Sequence, residues 1–479
     1  MPPLSLSPSN TILLPNLPPK TLVGIDLITF TSTSNFHGIR DLPEGWHFLY
    51  TGTTESFSLR SGAWFYVGDH SAAITATRNN RNPGPEVLIW KWNTEIEALV
   101  PLTGDNDADI QEAMRRKANL GSVWRSGLLF RYRSRVPSSY LNNNNGSAGT
   151  SVAGQDFDDE ENEEEGRRVW DQLTCYISPG LLSRVVGDPA VDNDGRPRWT
   201  VTSASSANRD ADVIPGLEGR TLQEAVGKAE GDLELEFKFL PVDLKRTWRE
   251  GAIGRERTES AQDRSWALGD LIRRYSSESP NQGTRADVDV DMDGHEGRSG
   301  EKQILGELQF TFLMVLTMMN YSCLQQWKRL LSLVLTCRSA IREREQFMAD
   351  FIGLLSQQLQ RCDDVEGGLF EMDGDGGGEF LRKLLMKFKQ SVDEIVDGTM
   401  SAVKYELDKL EAWAKEEYDW DLDRVHIVRR GMVQLEDGEE VELEMNGDED
   451  EETGEYAPIV VDMGEDHSIQ DVDMGKPTG

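Results

Sequence analysis

Histidine, serine and cysteine are the residues through which this chain could do covalent or acid–base chemistry, and their spacing matches no common catalytic pattern. The histidines are His37, His47, His70, His295, His426 and His467. They form no HExxH pair for zinc, and no GxSxG elbow offers a strained serine nucleophile. The sequence therefore predicts no enzyme, no cofactor and no metal. A hydrolase stays open as an alternative, because a triad assembled from distant loops leaves no local trace.

Two acidic stretches resemble the start of a calcium-binding loop, in which alternate carboxylates converge on the cation. The first, Asp289–Gly294, carries Asp at alternate positions, but the twelfth position, where a bidentate Glu is needed, is Gly300. The second begins at Asp373 and has Leu384 at the twelfth position. Both stretches are interpreted as solvated acidic loops.

Cysteine usage and hydropathy indicate an intracellular protein. The four cysteines lack CxxC spacing, so reduced thiols are expected. The chain does not open with a basic region followed by a sustained apolar run, so no signal peptide is predicted. The longest apolar stretch, Phe310–Met319, has about half of the roughly twenty residues that a membrane span needs, which predicts a buried helix.

The formal net charge of −34 disfavours direct contact with nucleic acid, because phosphate backbones are bound through Lys and Arg. Residues 113–155 are an exception, since they contain no acidic residue. The basic residues of this patch are Arg115, Arg116, Lys117, Arg125, Arg131, Arg133 and Arg135. In a strand, the last three would share one face. Three interpretations stay open: an exposed face partly neutralised by the acidic segment that follows, a contact for an acidic protein surface, or a contact for RNA.

A short apolar segment, residues 454–463, interrupts an acidic tail in which residues 436–479 hold seventeen acidic residues and one lysine. Isolated strand-formers of this kind can add a strand to the exposed sheet edge of a partner. Packing against the chain's own helical domain is the alternative. The candidate partner-binding strand is Tyr456, Ala457, Pro458, Ile459, Val460 and Val461.

The pattern along the chain predicts a multidomain α and β fold. Residues 1–141 contain short β-branched and aromatic runs bounded by turn residues, which predicts an all-β sandwich. Helical periodicity dominates residues 169–435, which predicts an all-α C-terminal domain. The predicted strands are Leu22–Ile28, Trp46–Tyr50, Ala63–Val67, Ala72–Ala76, Val87–Trp92 and Gly127–Val136, with a helix around Ile110–Ala118.

Three segments are predicted to be disordered because their composition is too polar to form a core. They are the acidic linker 142–168, the insert 276–300 and the tail 436–479. Eight of the ten residues 156–165 are acidic. A linker of this length predicts mobile domains unless they share a sizeable interface. Within the helical domain, one long last helix is predicted over Phe380–Trp413, either packed on its own domain or in a coiled coil.

Several segments, taken in order, resemble the Aar-two family of splicing factors. The first group is Leu22-Val-Gly-Ile-Asp-Leu27, Asn35-Phe-His-Gly-Ile39, Leu42-Pro-Glu-Gly-Trp-His-Phe48, Ala63-Trp-Phe-Tyr66 and Val87-Leu-Ile-Trp-Lys-Trp92. The second group is Trp170-Asp-Gln-Leu-Thr174, Phe237-Lys-Phe239 with Trp248, Leu305-Gly-Glu-Leu-Gln-Phe310, Gln326-Trp-Lys-Arg-Leu-Leu331 and Glu455-Tyr-Ala-Pro-Ile-Val460. Together they span both predicted domains.

The resemblance implies a non-catalytic assembly chaperone in pre-mRNA splicing. Members of the family bind the scaffold protein Prp-eight near its RNase H-like and Jab/MPN domains during biogenesis of the U-five small nuclear ribonucleoprotein (snRNP). They delay recruitment of the Brr-two helicase and are found in cytoplasm and nucleus. The resemblance also gives the tail motif the role of a partner-bound strand. An RNA-contacting splicing or processing factor that uses the basic patch is the alternative.

Serine-rich flanks of the polar insert suggest a regulatory step. Phosphate near Ser276, Ser277 or Ser279 would add negative charge to an acidic region and lower affinity for an acidic partner surface. This phosphoregulation is a hypothesis drawn from composition.

Overall fold

The computed structural model describes residues 8–53, 59–68, 85–102, 106–133, 155–207, 236–276, 297–362, 378–396, 401–422, 429–434 and 440–445. Within these residues, a β-sandwich is followed by a helical region, which confirms the predicted fold class. The predicted strand Ala72–Ala76 lies outside the described residues.

Two sheets form the sandwich. The five-stranded sheet has the order β8-β7-β1-β4-β9, and the six-stranded sheet has the order β10-β11-β6-β5-β2-β3. The strands are β1 Thr11–Leu13, β2 Leu22–Ile25, β3 Ile28–Thr31, β4 Gly38–Arg40, β5 Gly45–Gly52, β6 Arg60–Val67, β7 Val87–Asn93, β8 Ala98–Pro101, β9 Leu129–Arg131, β10 Ala190–Val191 and β11 Pro197–Thr202.

The six-stranded sheet is buried on both faces because both alternating sets of side chains in β5 and β6 are apolar. Leu49 and Phe65 point into the core between the two sheets, together with Ile12 of the five-stranded sheet. Phe48 and Trp64 point to the opposite face and pack in the core of the helices. This sheet is therefore a central layer.

Helix α1, Asp107–Arg125, covers the outer face of the five-stranded sheet. Its buried residues Leu120 and Trp124 pack against Leu13 and Ile89. Asn106 caps its N-terminus by accepting a hydrogen bond from the backbone N–H of Ala108 at 3.0 Å. The layers thus run in the order α1, five-stranded sheet, six-stranded sheet and helical region.

The helices that follow α1 are α2 Gln155–Thr174, α3 Pro179–Val185, α4 Arg255–Gln262, α5 Ser265–Ser276, α6 Gly297–Met318, α7 Tyr321–Val334, α8 Ala340–Glu343, α9 Glu345–Leu359, α10 Glu379–Ile395 and α11 Ala402–Tyr418. The helical region is built around α6. The predicted apolar stretch Phe310–Met319 falls in α6, whose side chains are buried almost all round.

The helices share one continuous apolar core with the six-stranded sheet. Trp64 of β6 stacks on Trp170 of α2, with ring centroids 5.9 Å apart, and tilts against Phe310 of α6 at 6.4 Å. The indole N–H of Trp170 donates to the carbonyl of Trp46 in β5 at 2.8 Å. The sheet and the helices therefore share a sizeable interface, and the mobile domains that the linker length predicts are not found.

Two segments differ from the predicted linker and domain limits. Residues 155–168 of the acidic linker form the first part of α2, which ends in the core at Trp170 and Leu173. Acidic residues in the N-terminal half of a helix are stabilised by its dipole, and Arg167 and Arg168 follow at helical spacing. Strand β11 lies beyond this linker but pairs antiparallel with β6.

The predicted long helix Phe380–Trp413 is two helices, α10 and α11. Residues 397–400, which contain the turn-forming pair Asp397-Gly398, lie between them outside the described residues. Ion pairs of Lys404 with Asp393, at 3.0 Å, and of Lys389 with Glu411 show that the helices run back along each other.

A hairpin of β12, Arg429–Gln434, and β13, Glu440–Met445, follows the helices. The second strand lies in the segment predicted as disordered tail. The alternation of Val441, Leu443 and Met445 with Glu is typical of a strand.

Candidate protein-binding site

The basic patch divides into two groups, and the first lies on α1. Arg116 pairs with Glu112 at 2.8 Å, and Lys117 pairs with Asp194 of the β10–β11 turn, also at 2.8 Å. Arg125 donates from Nε to the carbonyl of Gly121, while Arg115 is exposed. Burial raises the pKa of Glu112, but hydrogen bonds and charge from Arg116 and Lys91 outweigh burial and lower it. Much of the helix's positive charge is thus paired within the chain.

The second group lies at β9 and faces the acidic helix α2. Arg131 and Arg133 both lie near the carboxylate of Glu163, with N···O distances of 3.7 and 3.8 Å. Tyr132, between them, is buried on the opposite side. Arg135 lies outside the described residues. The geometry supports the interpretation in which the acidic segment partly neutralises this face.

Ser276 is the last residue of α5, and its hydroxyl is already engaged. It donates to the carbonyl of Ile272 at 2.7 Å and accepts from the backbone N–H of Gly300 at 3.2 Å. At this point α5 and α6 approach so closely that a Cβ on Gly300 would lie 2.2 Å from the Ile272 carbonyl oxygen. Ser277, Ser279 and the tail strand Tyr456–Val461 lie outside the described residues.

The most catalysis-like cluster is a buried Asp–His–Tyr group. Nδ1 of His47 lies 2.8 Å from Oδ2 of Asp26, and Nε2 lies 3.0 Å from the carbonyl of Pro43. Tyr132 donates to the same Asp26 oxygen at 2.6 Å. Burial lowers the pKa of His47, but the charge and hydrogen bond of Asp26 and the Pro43 carbonyl together raise it. Both ring nitrogens face acceptors, so both carry protons, and this histidine has no lone pair with which to act as a base.

The remaining chemistry-bearing residues give no reactive site within the described ranges. Cys323, Cys337 and Cys362 are buried and form no disulfide. Cys175 lies at the surface, and partial burial of its thiol raises the pKa above its usual value. Among the residues that the structure covers, no group of three or more His, Cys, Asp or Glu side chains is placed to hold a metal ion. No helix in the same part of the chain has the length and apolar character to cross a membrane.

An open groove of about 750 Å³ lies between α2, α9 and α11. Its floor and walls combine apolar groups with charges, and Tyr405 stands at its rim with 69% of its surface exposed. Ala402, Glu406 and Lys409 line the groove from the same face of α11 at helical spacing. Exposed aromatic side chains beside mixed charges are typical of protein-binding surfaces.

One wall of the groove is fixed by polar contacts. Gln309 of α6 accepts from the backbone N–H of Tyr176 at 2.8 Å and donates to the carbonyl of Gln172 at 2.8 Å. Burial and the nearby Asp350 raise the pKa of Tyr176 to about 12, so its phenol stays protonated. Sequence reasoning did not find this groove, because it is formed by three helices that are distant in the chain.

Two family models match the chain in order. The AAR2 N-terminal domain matches residues 8–187, which span the sandwich up to the end of α3. The AAR2 C-terminal repeat region matches residues 239–423, which span the helical region. Together they cover most of the chain, and residues 188–238, which include β10 and β11, lie between the two matches.

Curated relatives extend over the same length. The human protein named Protein AAR2 homolog is 23% identical over 425 residues, which are 86% of this chain and 89% of the relative. The mouse protein of that name is 23% identical over 422 residues, with the same two shares. The rabbit protein is 24% identical over 265 residues, 53% of this chain and 69% of the relative. The chain therefore belongs to the AAR2 family, the Aar-two family that its motifs resemble.

Proposed function

We propose that this chain is a non-catalytic assembly chaperone in pre-mRNA splicing. In this proposal it binds the scaffold protein Prp-eight, through the RNase H-like and Jab/MPN domains, during biogenesis of the U-five snRNP. While bound, it delays recruitment of the Brr-two helicase, acting in cytoplasm and nucleus. Membership of the AAR2 family, through matches to both halves of the chain, is the observation that carries the proposal.

The shared core supports a binding role. Because the sheet and the helices pack through Trp64, Trp170 and Phe310, their surfaces keep a fixed relation, and a partner that contacts both need not order them first. The groove at Tyr405 offers a mixed apolar and polar surface on the helical side. We propose it as the contact for one of the two Prp-eight domains.

The tail segment Tyr456–Val461 is proposed as a second contact. Its run of strand-forming residues suits addition of a strand to a partner's sheet edge, and Pro458, which lacks an N–H, suits an edge position. Two linked contacts raise the overall affinity through effective concentration.

Calorimetric binding to a recombinant Prp-eight fragment with the RNase H-like and Jab/MPN domains tests the proposal. Deletion of residues 454–463 should weaken binding by at least roughly tenfold, and Tyr405→Ala should weaken it by a similar factor if Tyr405 is a central contact. Met114→Ala, on the outer face of α1, is the matched exposed control and should bind as the unaltered chain does.

Absence of binding by the full chain would contradict the proposal. Salt-sensitive RNA binding that is lost when Arg131 and Arg133 are replaced by Glu would support the RNA-contacting alternative instead. The pairing of both arginines with Glu163 and the net charge of −34 argue against that outcome.

Regulation by phosphate at Ser276, Ser277 or Ser279 remains part of the proposal. On Ser276, a phosphate would displace the hydroxyl from its contacts with Ile272 and Gly300 and push α5 and α6 apart. Replacement of all three serines by Glu should lower affinity for the Prp-eight fragment, and an unchanged affinity would count against the idea.

A further inference from the structure

A separate crevice of about 320 Å³ lies where the six-stranded sheet meets the end of α6. The β2–β3 hairpin forms one side, with Leu22 and Leu27, and the last turn of α6 forms the other, with Leu316 and Met319. It lies at the sheet's β3 edge, apart from the groove at Tyr405. Half of its lining residues are polar or charged, namely Asp26, Thr29, Tyr50, Arg60 and Thr317.

The side chain of Tyr50 extends over Gly24 toward this crevice. In the six-stranded sheet Tyr50 of β5 pairs with Gly24 of β2, which pairs in turn with Thr29 of β3. A Cβ on Gly24 would lie 2.0 Å from Cζ of Tyr50, so the ring lies flat over this glycine. The phenol therefore points from β5 across β2 toward Thr29, which also lines the crevice.

The Tyr50 hydroxyl has no hydrogen-bond partner among the residues that the structure describes, although the side chain is only 3% exposed. The hydroxyl oxygen is not one of the fully buried polar atoms without a partner in the described part of the chain, so it is open to the crevice that Tyr50 lines. The hydroxyl is thus a free hydrogen-bonding group directed into a cavity that has room for a ligand.

Two charged side chains set the electrostatics of the crevice. Arg60 is buried and donates from Nη1 to the carbonyl of Thr317 at 2.8 Å. Burial raises the pKa of Tyr50, the Arg60 charge opposes that rise, and Asp26 adds to it with a smaller effect. Asp26 is also paired with the protonated His47. Arg60 lines the crevice together with Tyr50, and the charge of Asp26 is balanced by its pairing with His47, so the crevice favours an anion over a cation.

We propose that this crevice binds a carboxylate carried on a short apolar chain. The Tyr50 hydroxyl donates to the carboxylate, Thr29 lies at the entrance, and Leu22, Leu27, Leu316 and Met319 contact the hydrocarbon. The site is distinct from the surfaces proposed for Prp-eight and does not depend on that function.

Methyl-detected NMR of the full chain, titrated with hexanoate, tests the proposal. Saturable shifts are expected for the methyl groups of Leu22, Leu27 and Met319, with a Kd on the order of 1 mM, as for any ligand this small. The methyl groups of Leu354, in the groove between α2, α9 and α11, should not shift. Hexanol should bind more weakly and hexylammonium more weakly still, since they share the chain and lack the negative charge.

Tyr50→Phe keeps the ring over Gly24 and removes only the hydroxyl. It should weaken hexanoate binding by roughly tenfold, as expected for the loss of a hydrogen bond to a charged group. Tyr66→Phe removes a phenolic hydroxyl from the same sheet, outside the crevice, and should leave binding unchanged. The melting temperature of Tyr50→Phe should be equal to that of the unaltered chain or higher, because the hydroxyl has no hydrogen-bond partner among the described residues.

Three outcomes would overturn the proposal. Absence of saturable shifts would mean that the crevice holds solvent only. Equal binding of hexanoate and hexylammonium would remove the charge argument. A Tyr50→Phe variant that loses stability but keeps its affinity for hexanoate would mean that the hydroxyl has a structural partner instead.

The carboxylate can come from a small molecule or from an acidic peptide such as this chain's own tail. A synthetic peptide of residues 462–471, titrated in the same way, separates these sources. Tighter binding of the peptide than of hexanoate at the same methyl groups assigns the site to a peptide carboxylate, and weaker binding assigns it to a small molecule.

Discussion

Two contacts join helix α2 to the sandwich, and they differ in kind. At the core, Trp170 stacks on Trp64 with both side chains buried. At the surface, a few turns earlier in the same helix, Glu163 faces Arg131 and Arg133 at 3.7 and 3.8 Å, and the Arg131 side chain is 55% exposed. One helix thus makes an apolar contact at its end and a solvated ionic contact near its middle.

The difference shows which contact holds the two parts together. A fully buried aromatic side chain contributes about 2–3 kcal/mol through burial alone, whereas an exposed ion pair contributes about 0–1 kcal/mol. Trp170 and Leu173 therefore fix α2 on the sandwich, while the Glu163 ion pairs add little. The acidic composition of residues 156–165 suggests a linker, although the helix that contains them continues to Trp170 and Leu173 in the core. Composition alone therefore does not predict that this helix packs on the sandwich.

Trp64→Ala is expected to have the largest effect on this comparison. Trp64 is completely buried and contacts Phe48, Trp170 and Phe310, so its loss should lower the free energy of unfolding by about 3–5 kcal/mol. Urea unfolding followed by circular dichroism and by tryptophan fluorescence should show one transition that shifts as a whole. Leu59→Ala, at an exposed position next to β6, is the control. Two separate transitions, of which only one shifts, would show that the sheet and the helices unfold independently.

A buried ion pair should behave differently from the exposed ones. The pKa of His47 is raised above its ordinary 6.5, so its contribution to stability is fully present below about pH 6.5 and is lost as pH rises through the folded-state pKa. The difference in unfolding free energy between the unaltered chain and His47→Gln should therefore be largest near pH 5.5 and smaller near pH 9. Denaturant unfolding across this range measures it, and a difference that grows with pH would mean that His47 is neutral in the folded protein.

The smallest effect is expected at the surface pair of Lys117 and Asp194, whose side chains are more than one third exposed. Asp194→Asn should change the free energy of unfolding by less than about 1 kcal/mol, and 0.5 M salt should reduce the change further. A double-mutant cycle with Lys117→Met isolates the pair. A coupling energy above about 2 kcal/mol would contradict the ranking of apolar over ionic contacts.

The sequence predicts the elements whose pattern is local. Strands β5, β6 and β7 and the helices from α5 to α9 lie where alternation or helical periodicity places them. The predicted strand Leu22–Ile28 is instead β2, a turn and the first residue of β3. The periodicity alone predicts one helix for α10 and α11, although the Asp397-Gly398 pair signals a break between them. The apolar residues on both faces of β5 and β6 indicate that the sheet is covered on both sides.

The rest depends on contacts between distant residues. Lys117 pairs with Asp194, 77 positions away, so no local pattern shows that the basic patch is partly neutralised within the chain. Tyr50 can enter the crevice only because Gly24 lies opposite it, and this register is set by the hairpins around it. The groove at Tyr405 needs three helices whose packing follows from the common core. Sequence periodicity gives each element but not its neighbours.

Strand β11 also has a consequence for the order in which the protein can form during synthesis. Arg60 of β6 contacts Ser203, 143 positions later, and Thr317, 257 positions later. While the ribosome is still making those later residues, β6 has no β11 to pair with, and Trp64 and Phe48 have no helices to cover them. A nascent chain that ends before β11 therefore carries an open strand edge, and one that ends before α6 carries an uncovered aromatic face. Both features promote aggregation. The family matches divide the chain into two halves, but a stable recombinant fragment of the first half would need that aromatic face redesigned for contact with water.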